Sequence, residues 1–449
     1  MTHPACKIHL FFKLLIVLFK MPFIFIIMVA AEQFGRINIA ECEDFMKKQI
    51  GTILLVLVIC AGGSGCSRQF IQNSRHWLGT WAASAQPVEA ELMPPDYQTL
   101  DNTTIRQVIR VSAGGRHLRV RFSNSFADAS DTLHIERAFI AESAGAGVIA
   151  ADTLTPLTFG GKPSIAVPAG AVIASDVAAF HLKPNSDLAV SLYISKAPAK
   201  TTGHRSARGE AAFIQAGNAA DAASLPQNTA SKCWYWLCGL DVLAPSSCGA
   251  VVCLGDSLTD GKGSTEGANR RWPNYLAQRL QADSTTACIG VLNQGIGGNC
   301  LLAGGIGPTA LERLDRDVLD QPAARWIIVL EGINDLGTGT ADARQIIAGY
   351  EQIIERSRAR GLRVYGATLL PCGRSFYDNP QLQAQRQIIN HWIRTSGAFD
   401  AVIDFDAALH NPANPQLLLP EADSGDHLHL NDRGYEMMAE AVDLTLFKQ

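Results

Sequence analysis

The chain has 449 residues, 47% hydrophobic and 18% charged, enough for two or three domains with cores of their own and too apolar for a disordered protein. Against 42 acidic residues stand 38 basic ones, a formal net charge of -4 with no long basic run, which argues against a nucleic-acid partner. None of the 11 cysteines shows C-x-x-C or Cys/His metal spacing, so neither a metal nor a cofactor is expected.

The first 66 residues read as targeting sequence. Residues 8–31 are apolar but broken by Lys13 and Lys20. The stretch "MKKQIGTILLVLVICAGGSGC", 46–66, has a basic start, an apolar centre too short for a comfortable membrane span, and small residues before a cysteine. It resembles a bacterial lipoprotein signal, with Gly63 where that pattern prefers leucine. The resemblance implies lipidation at Cys66, export to the periplasm or cell surface, and attachment to a membrane through an N-terminal lipid. Translation is then expected to begin at Met46, with 1–45 an upstream segment or atypical leader. The competing reading is a membrane anchor over 8–31.

From about Trp77 to Leu243 the pattern is strand-like. "HLRVRFSNSF" alternates Leu118, Val120 and Phe122 with arginines, and "TIRQVIRV" and "DLAVSLYIS" are further β-rich runs separated by Gly, Pro, Asn and Asp clusters. Many short strands without a helical period predict an all-β sandwich over 75–245. Cys233 and Cys238 could pair in an oxidising compartment, and Cys253 and Cys288 sit in apolar runs as expected core residues.

After Ser246 the period changes. Apolar strands expected at 250–255, 287–292, 325–331, 362–370 and 400–405 alternate with helices near 272–283, 308–320, 342–359, 380–396 and 431–446. This alternation predicts a doubly wound, five-stranded parallel α/β sheet over 248–449. In such folds ligands bind beyond the carboxyl ends of the strands. "GDSLTDG" follows the first strand, "NQGIGGN" the second, "EGIND" the third, and "DHLHLNDRGY" comes after the fifth. Each has an ordinary explanation as a turn or a helix cap; together they bring a serine, glycines, an asparagine and an Asp/His pair to one sheet edge.

These four blocks, in this order, resemble the signature of the SGNH (GDSL) hydrolase family, whose fold is flavodoxin-like. "GTWAAS", "LRVRFSN" and "TTGHRS" upstream look like the β-domain of secreted two-domain GDSL-like lipases/acylhydrolases. The resemblance implies a serine esterase working through an acyl-enzyme. It further implies Ser257 as the nucleophile, His429 as the base and Asp426 as its orienting carboxylate. On the same resemblance the N–H groups of Ser257 and Gly298 and the amide of Asn334 are expected to form the oxyanion hole. His427 competes with His429, but only Asp426 and His429 have the family's Asp-x-x-His spacing. Asp256 and Asp260 read as turn-stabilising, Asp335 as a cap for the following segment, and Trp234, Tyr235 and Trp236 as packing between domains.

The G-x-S-x-G elbow of a conventional α/β-hydrolase and the H-E-x-x-H of a zinc protease are both missing from the chain. A noncatalytic glycan-binding lipoprotein would be expected to have lost one of the five site groups. The expected partner is a small-molecule or glycan ester. Polar, glycine-rich loops after Ser257 and Gly298 point to small acyl groups, acetyl esters of carbohydrate above all; the alternative is a lipase or lysophospholipase. Leu258, Leu301 and Leu302 are the local candidates for an acyl slot.

Overall fold

The computed structural model describes residues 74–448 except 96 and 209–211. Residues 1–66, expected to be targeting sequence, and with them Cys66, lie outside the described residues.

Antiparallel strands come first: β1 (Arg75–Ala82), β2 (Thr103–Arg110), β3 (Gly115–Ser123), β4 (Leu133–Gly145), β5 (Ala178–Leu182), β6 (Asp187–Lys196), β7 (Ala212–Ala216) and β8 (Leu237–Pro245). One sheet runs β1–β8–β3–β5 and the other β7–β2–β6–β4, with short strands at their edges. The alternation read in β3 is real: Leu118, Val120 and Phe122 are buried. Between them Arg119 and Arg121 reach the buried Asp241 of β8 at 2.8 and 3.2 Å. Two cations around one carboxylate offset the cost of burying it.

The second half is a parallel sheet of β9 (Ala250–Gly255), β10 (Gly290–Gly295), β11 (Ala324–Leu330), β12 (Arg363–Ala367) and β13 (Ala401–Ile403). Its order, β10–β9–β11–β12–β13, is doubly wound, as expected. The helices are α1 (Ser257–Asp260), α2 (Trp272–Ala282), α3 (Ile333–Thr338), α4 (Ala343–Ala359), α5 (Pro380–Thr395), α6 (Phe405–Leu409) and α7 (Asp432–Glu440). Ile346, Tyr350, Ile353 and Ile354 form the buried face of α4, and Asp342 and Gln345 close its first turn as a capping box.

Two expectations need correction. The helix expected over 308–320 is reduced to one π-helical turn, Asp315–Leu319. The reason is Arg313, which is fully buried and donates to Ser84 Oγ, the carbonyls of Gly255 and Gln294, and Asn299 Oδ1 at 2.6 to 3.0 Å. A chain that aims a guanidinium inward at that point cannot follow the amphipathic period. The second parallel strand also lies three residues later than the apolar run suggested. Its register is fixed by polar anchors: Ser84 Oγ donates to Gln294 Oε1 at 2.7 Å, and Val291 N–H donates to Ser112 Oγ at 2.8 Å.

Both anchors reach from the β-strands into the parallel sheet. Arg121 adds a bond to Gln321 at 2.8 Å, and Gly79 N–H donates to the Pro322 carbonyl. Ser74 onward is accordingly one compact unit with one continuous core. The cysteines of this unit are free thiols. Cys233 faces the carbonyls of Leu92 and Arg205, not Cys238. Cys253 is buried as expected, whereas Cys288 is exposed.

Candidate active site

β9 ends where Gly255 passes so close to Thr259 and the Leu330 carbonyl that a Cβ would overlap them. This close approach lets the chain turn sharply. Asp256 caps α1 by accepting the Leu258 N–H at 2.9 Å, and Ser257 becomes the first helical residue.

The serine hydroxyl meets a residue brought from the far end of the domain. Ser257 Oγ is 2.8 Å from His429 Nε2, and His429 Nδ1 is 2.6 Å from Asp426 Oδ2. A carboxylate only accepts, so Nδ1 carries the proton, Nε2 is the acceptor, and the serine donates. Asp426 is fixed in turn by the N–H groups of His429 and Leu428 at 2.8 and 3.1 Å. Burial works to raise the Asp426 carboxyl, but these two N–H groups and the imidazole hold it down to about 2. Burial lowers His429 below the usual imidazole range, Asp426 opposes this, and Lys262 and Arg208 add to it. The imidazole is therefore neutral at neutral pH and able to take a proton.

His427 stands apart. It adopts a left-handed backbone, φ 62°, and its ring turns to Asp423 at 2.5 Å, away from the serine.

Three donors belong to residues that line one cleft, Ser257 among them. The N–H groups of Ser257 and Gly298 donate to no group among the described residues. Gly298 has φ 75°, and a Cβ there would press to 3.0 Å from Ile306, so glycine suits the position on both counts. Asn334, the second residue of α3, uses one amide N–H on the Asn299 carbonyl at 2.8 Å; the other has only a long 3.3 Å contact with Asp256. Tyr377 O–H donates to Asn334 Oδ1 at 3.1 Å and fixes which way the amide faces.

Behind the site lies a buried acidic cluster. Burial pushes the Asp256 carboxyl up to about 7, and Asp335 adds to the rise. Burial likewise lifts Glu331 well above the usual carboxylate range, with Asp256 next in effect. Arg313 faces this cluster, 3.3 Å from Glu331. Asp335 does not cap the following segment, which Asp342 caps; its carboxylate accepts the N–H groups of Leu301 and Leu302 at 2.7 and 3.0 Å and anchors the loop after Gly298. Asp260 is not a simple turn residue either, since it receives His204 and Arg208 from the β-strand half.

The site opens on a cleft of about 440 Å³ lined by Ser257, Gly298, Asn334 and His429. Sequence reasoning missed much of its rim. Arg205, Ser206, Arg208 and Lys232 come from the β-strand half, and Phe376 and Tyr377 from the loop after β12. "TTGHRS" was the available signal for Arg205 and Ser206 alone. Leu258, Leu301 and Leu302 do not line the cleft; its apolar lining is Leu92, Ile306, Phe376 and Leu428. Trp234, Tyr235 and Trp236 are buried, Trp234 edge-on to Trp81 at 5.0 Å.

Residues 253–437 match the model of the GDSL-like Lipase/Acylhydrolase family. No curated protein matches the chain. Among solved structures it is similar to a carbohydrate acetylesterase family member from Sinorhizobium meliloti: 17% identity, 44% of this chain and 97% of that one, TM-score 0.36. It is also similar to Axe2, an acetylxylan esterase from Geobacillus stearothermophilus: 20% identity, 43% and 91% coverage, TM-score 0.34. A GDSL-like lipase from Bacteroides thetaiotaomicron VPI-5482 aligns at 17% identity, 44% and 88% coverage, TM-score 0.34. On the match over 253–437, the α/β half is a GDSL-like lipase/acylhydrolase domain, a carboxylic ester hydrolase of the SGNH type.

Proposed function

We propose that the protein is a serine esterase that cleaves small acyl esters, acetyl esters of carbohydrate above all, through an acyl-enzyme on Ser257. The observation that carries this reading is the relay Ser257–His429–Asp426, with contacts of 2.8 and 2.6 Å, opening on a cleft beside two unengaged N–H groups. Ser257 Oγ attacks the ester carbonyl carbon while His429 Nε2 takes its proton. The carbonyl oxygen becomes an oxyanion, met by the N–H groups of Ser257 and Gly298 and by Asn334. Each such donor lowers the barrier by ~3 kcal/mol. Asp426 stabilises the imidazolium, which then protonates the departing alcohol. Water oxygen then bonds to the acyl carbon while His429 takes its proton; the acyl–Oγ bond breaks, His429 returns the proton to Ser257 Oγ, and the carboxylic acid leaves.

Support for a short acyl group comes from the cleft lining, where charged and polar side chains interrupt the apolar ones. A long acyl chain needs a continuous apolar slot to gain ~0.8 kcal/mol per methylene. One observation favours the longer-chain reading: Phe376 is 69% exposed at the rim, 4.4 Å from the Tyr377 ring. The test is a series of chromogenic esters from acetyl to octanoyl. We expect kcat/KM to be highest for acetyl; a steady rise toward octanoyl replaces the acetylesterase reading with a lipase or lysophospholipase.

We further propose translation from Met46, export and lipidation at Cys66, on the layout of 46–66. Intact mass of the native protein tests this. A chain beginning at a lipidated Cys66 supports it, and a chain retaining residues 1–45 contradicts it.

A further inference from the structure

Among the described cations of the rim, Arg208 is the one held by a fully buried acid. Asp260, two residues beyond Leu258 in the nucleophile turn, is 2% exposed at its side chain and lies 3.3 Å from Arg208 Nε. His204 Nε2 contacts the same carboxylate at 3.1 Å, and Arg271 also acts on it electrostatically. One acid shared by three side chains does not neutralise Arg208 alone. The arginine sits in a left-handed backbone conformation, φ 48°, a strain that surrounding contacts must maintain. Its Nε is engaged by Asp260, while its two Nη groups have no hydrogen-bond partner among the described residues. One of them, Nη2, lies 3.9 Å from where a Cβ on Gly297 would stand, next to the oxyanion glycine. Lys262 lines the same cleft and is exposed, and its ammonium forms no ion pair among the described residues. The other rim cations differ: Lys232 is paired with Glu266 at 2.8 Å and Arg205 faces Glu89 at 3.5 Å.

We propose that Arg208 and Lys262 form an anion subsite beside the reacting serine, so that the preferred substrate is an ester whose alcohol portion carries a carboxylate or phosphate. The proposal rests on the esterase reading above. A guanidinium whose Nε is tied down presents its Nη groups as a fixed fork suited to a planar or tetrahedral oxyanion. A cleft with low-dielectric walls strengthens that attraction.

The experiment compares matched acetyl esters on the full chain: an acetylated methyl glucuronoside against the corresponding glucoside, and acetyl glycerophosphate against acetylglycerol. We expect kcat/KM to favour one or both anionic members by about tenfold, with the preferred arm identifying carboxylate or phosphate. Arg208→Gln and, independently, the exposed Lys262→Gln should each bring that ratio toward one. Equal rates for both members of each pair, or an unchanged ratio in both variants, overturn the subsite and leave the esterase reading intact. Calorimetric binding of glucuronate and glycerol phosphate to Ser257→Ala reads the subsite without turnover. Binding that is lost on adding Lys262→Gln supports it, and no binding of either anion overturns it, even if no ester tried is hydrolysed.

Discussion

His429 Nε2 lies 2.8 Å from Ser257 Oγ although 172 residues separate the two in sequence. The parallel sheet makes this contact: Ser257 leaves the end of β9, and the loop before α7 returns to the same edge. Replacing Ser257 by alanine removes one oxygen from an otherwise packed turn. We expect turnover of a chromogenic acetate to fall by about 10⁶ with circular dichroism and thermal midpoint near wild type. A folded Ser257→Ala protein with near-wild-type turnover contradicts the mechanism.

Asn334→Ala should lower kcat by roughly 10² to 10³ with little change in KM, because its amide acts on charge that develops only in the transition state. Tyr377→Phe keeps the ring but loses the hydrogen bond to Asn334 Oδ1. A smaller loss, about 3-fold to 10-fold, again in kcat, is expected from losing one orienting hydrogen bond. Steady-state kinetics on one acetate ester separates the two, and an effect confined to KM for either variant assigns it to substrate binding.

The pH profile follows from His429. Its neutral form is the active one, so kcat/KM falls as pH drops through its pKa. Burial lowers that pKa from 6.5, so the acid limb should have its midpoint below 6.5. Asp426 opposes this lowering, and Asp426→Asn should move the limb further toward acid while reducing the plateau. A limb above 6.5 in the wild type excludes a buried, neutral His429.

Asp256 gives a stability test of opposite sign. Its carboxyl is raised to about 7 in the folded protein, from about 3.9 in an unfolded chain. Its contribution is fully present below the unfolded value and is lost as pH rises through the folded one. Asn mimics the protonated carboxyl and does not titrate. The thermal midpoint of Asp256→Asn relative to wild type should therefore improve between about pH 4.5 and about pH 7.5. A relative midpoint that worsens over that interval means that Asp256 is ionised in the native state.

Much of the α/β half was legible because its elements follow local rules. The α4 period and the apolar run of β9 are written in adjacent residues. The four blocks after the strands were legible for the same reason. What escaped notice depends on contacts distant in sequence. Arg313 looks like a surface residue of an amphipathic helix until Ser84, 229 residues away, and Gly255 are seen around it. Arg208 reads as an ordinary loop cation; only Asp260 beneath it places it at the reacting centre. Tyr377 lies in a loop with no motif, and its value to Asn334 is visible only once β12 and β11 are neighbours.

The central claim is that Ser257 is activated by His429 to form an acyl-enzyme. A fluorophosphonate bearing a small alkyl group reports this directly, read by intact-protein mass spectrometry followed by peptide mapping. The account predicts a single covalent adduct on Ser257, absent in Ser257→Ala and strongly slowed in His429→Ala. Labelling at another residue, or ester hydrolysis that persists with Ser257 unlabelled, would contradict it.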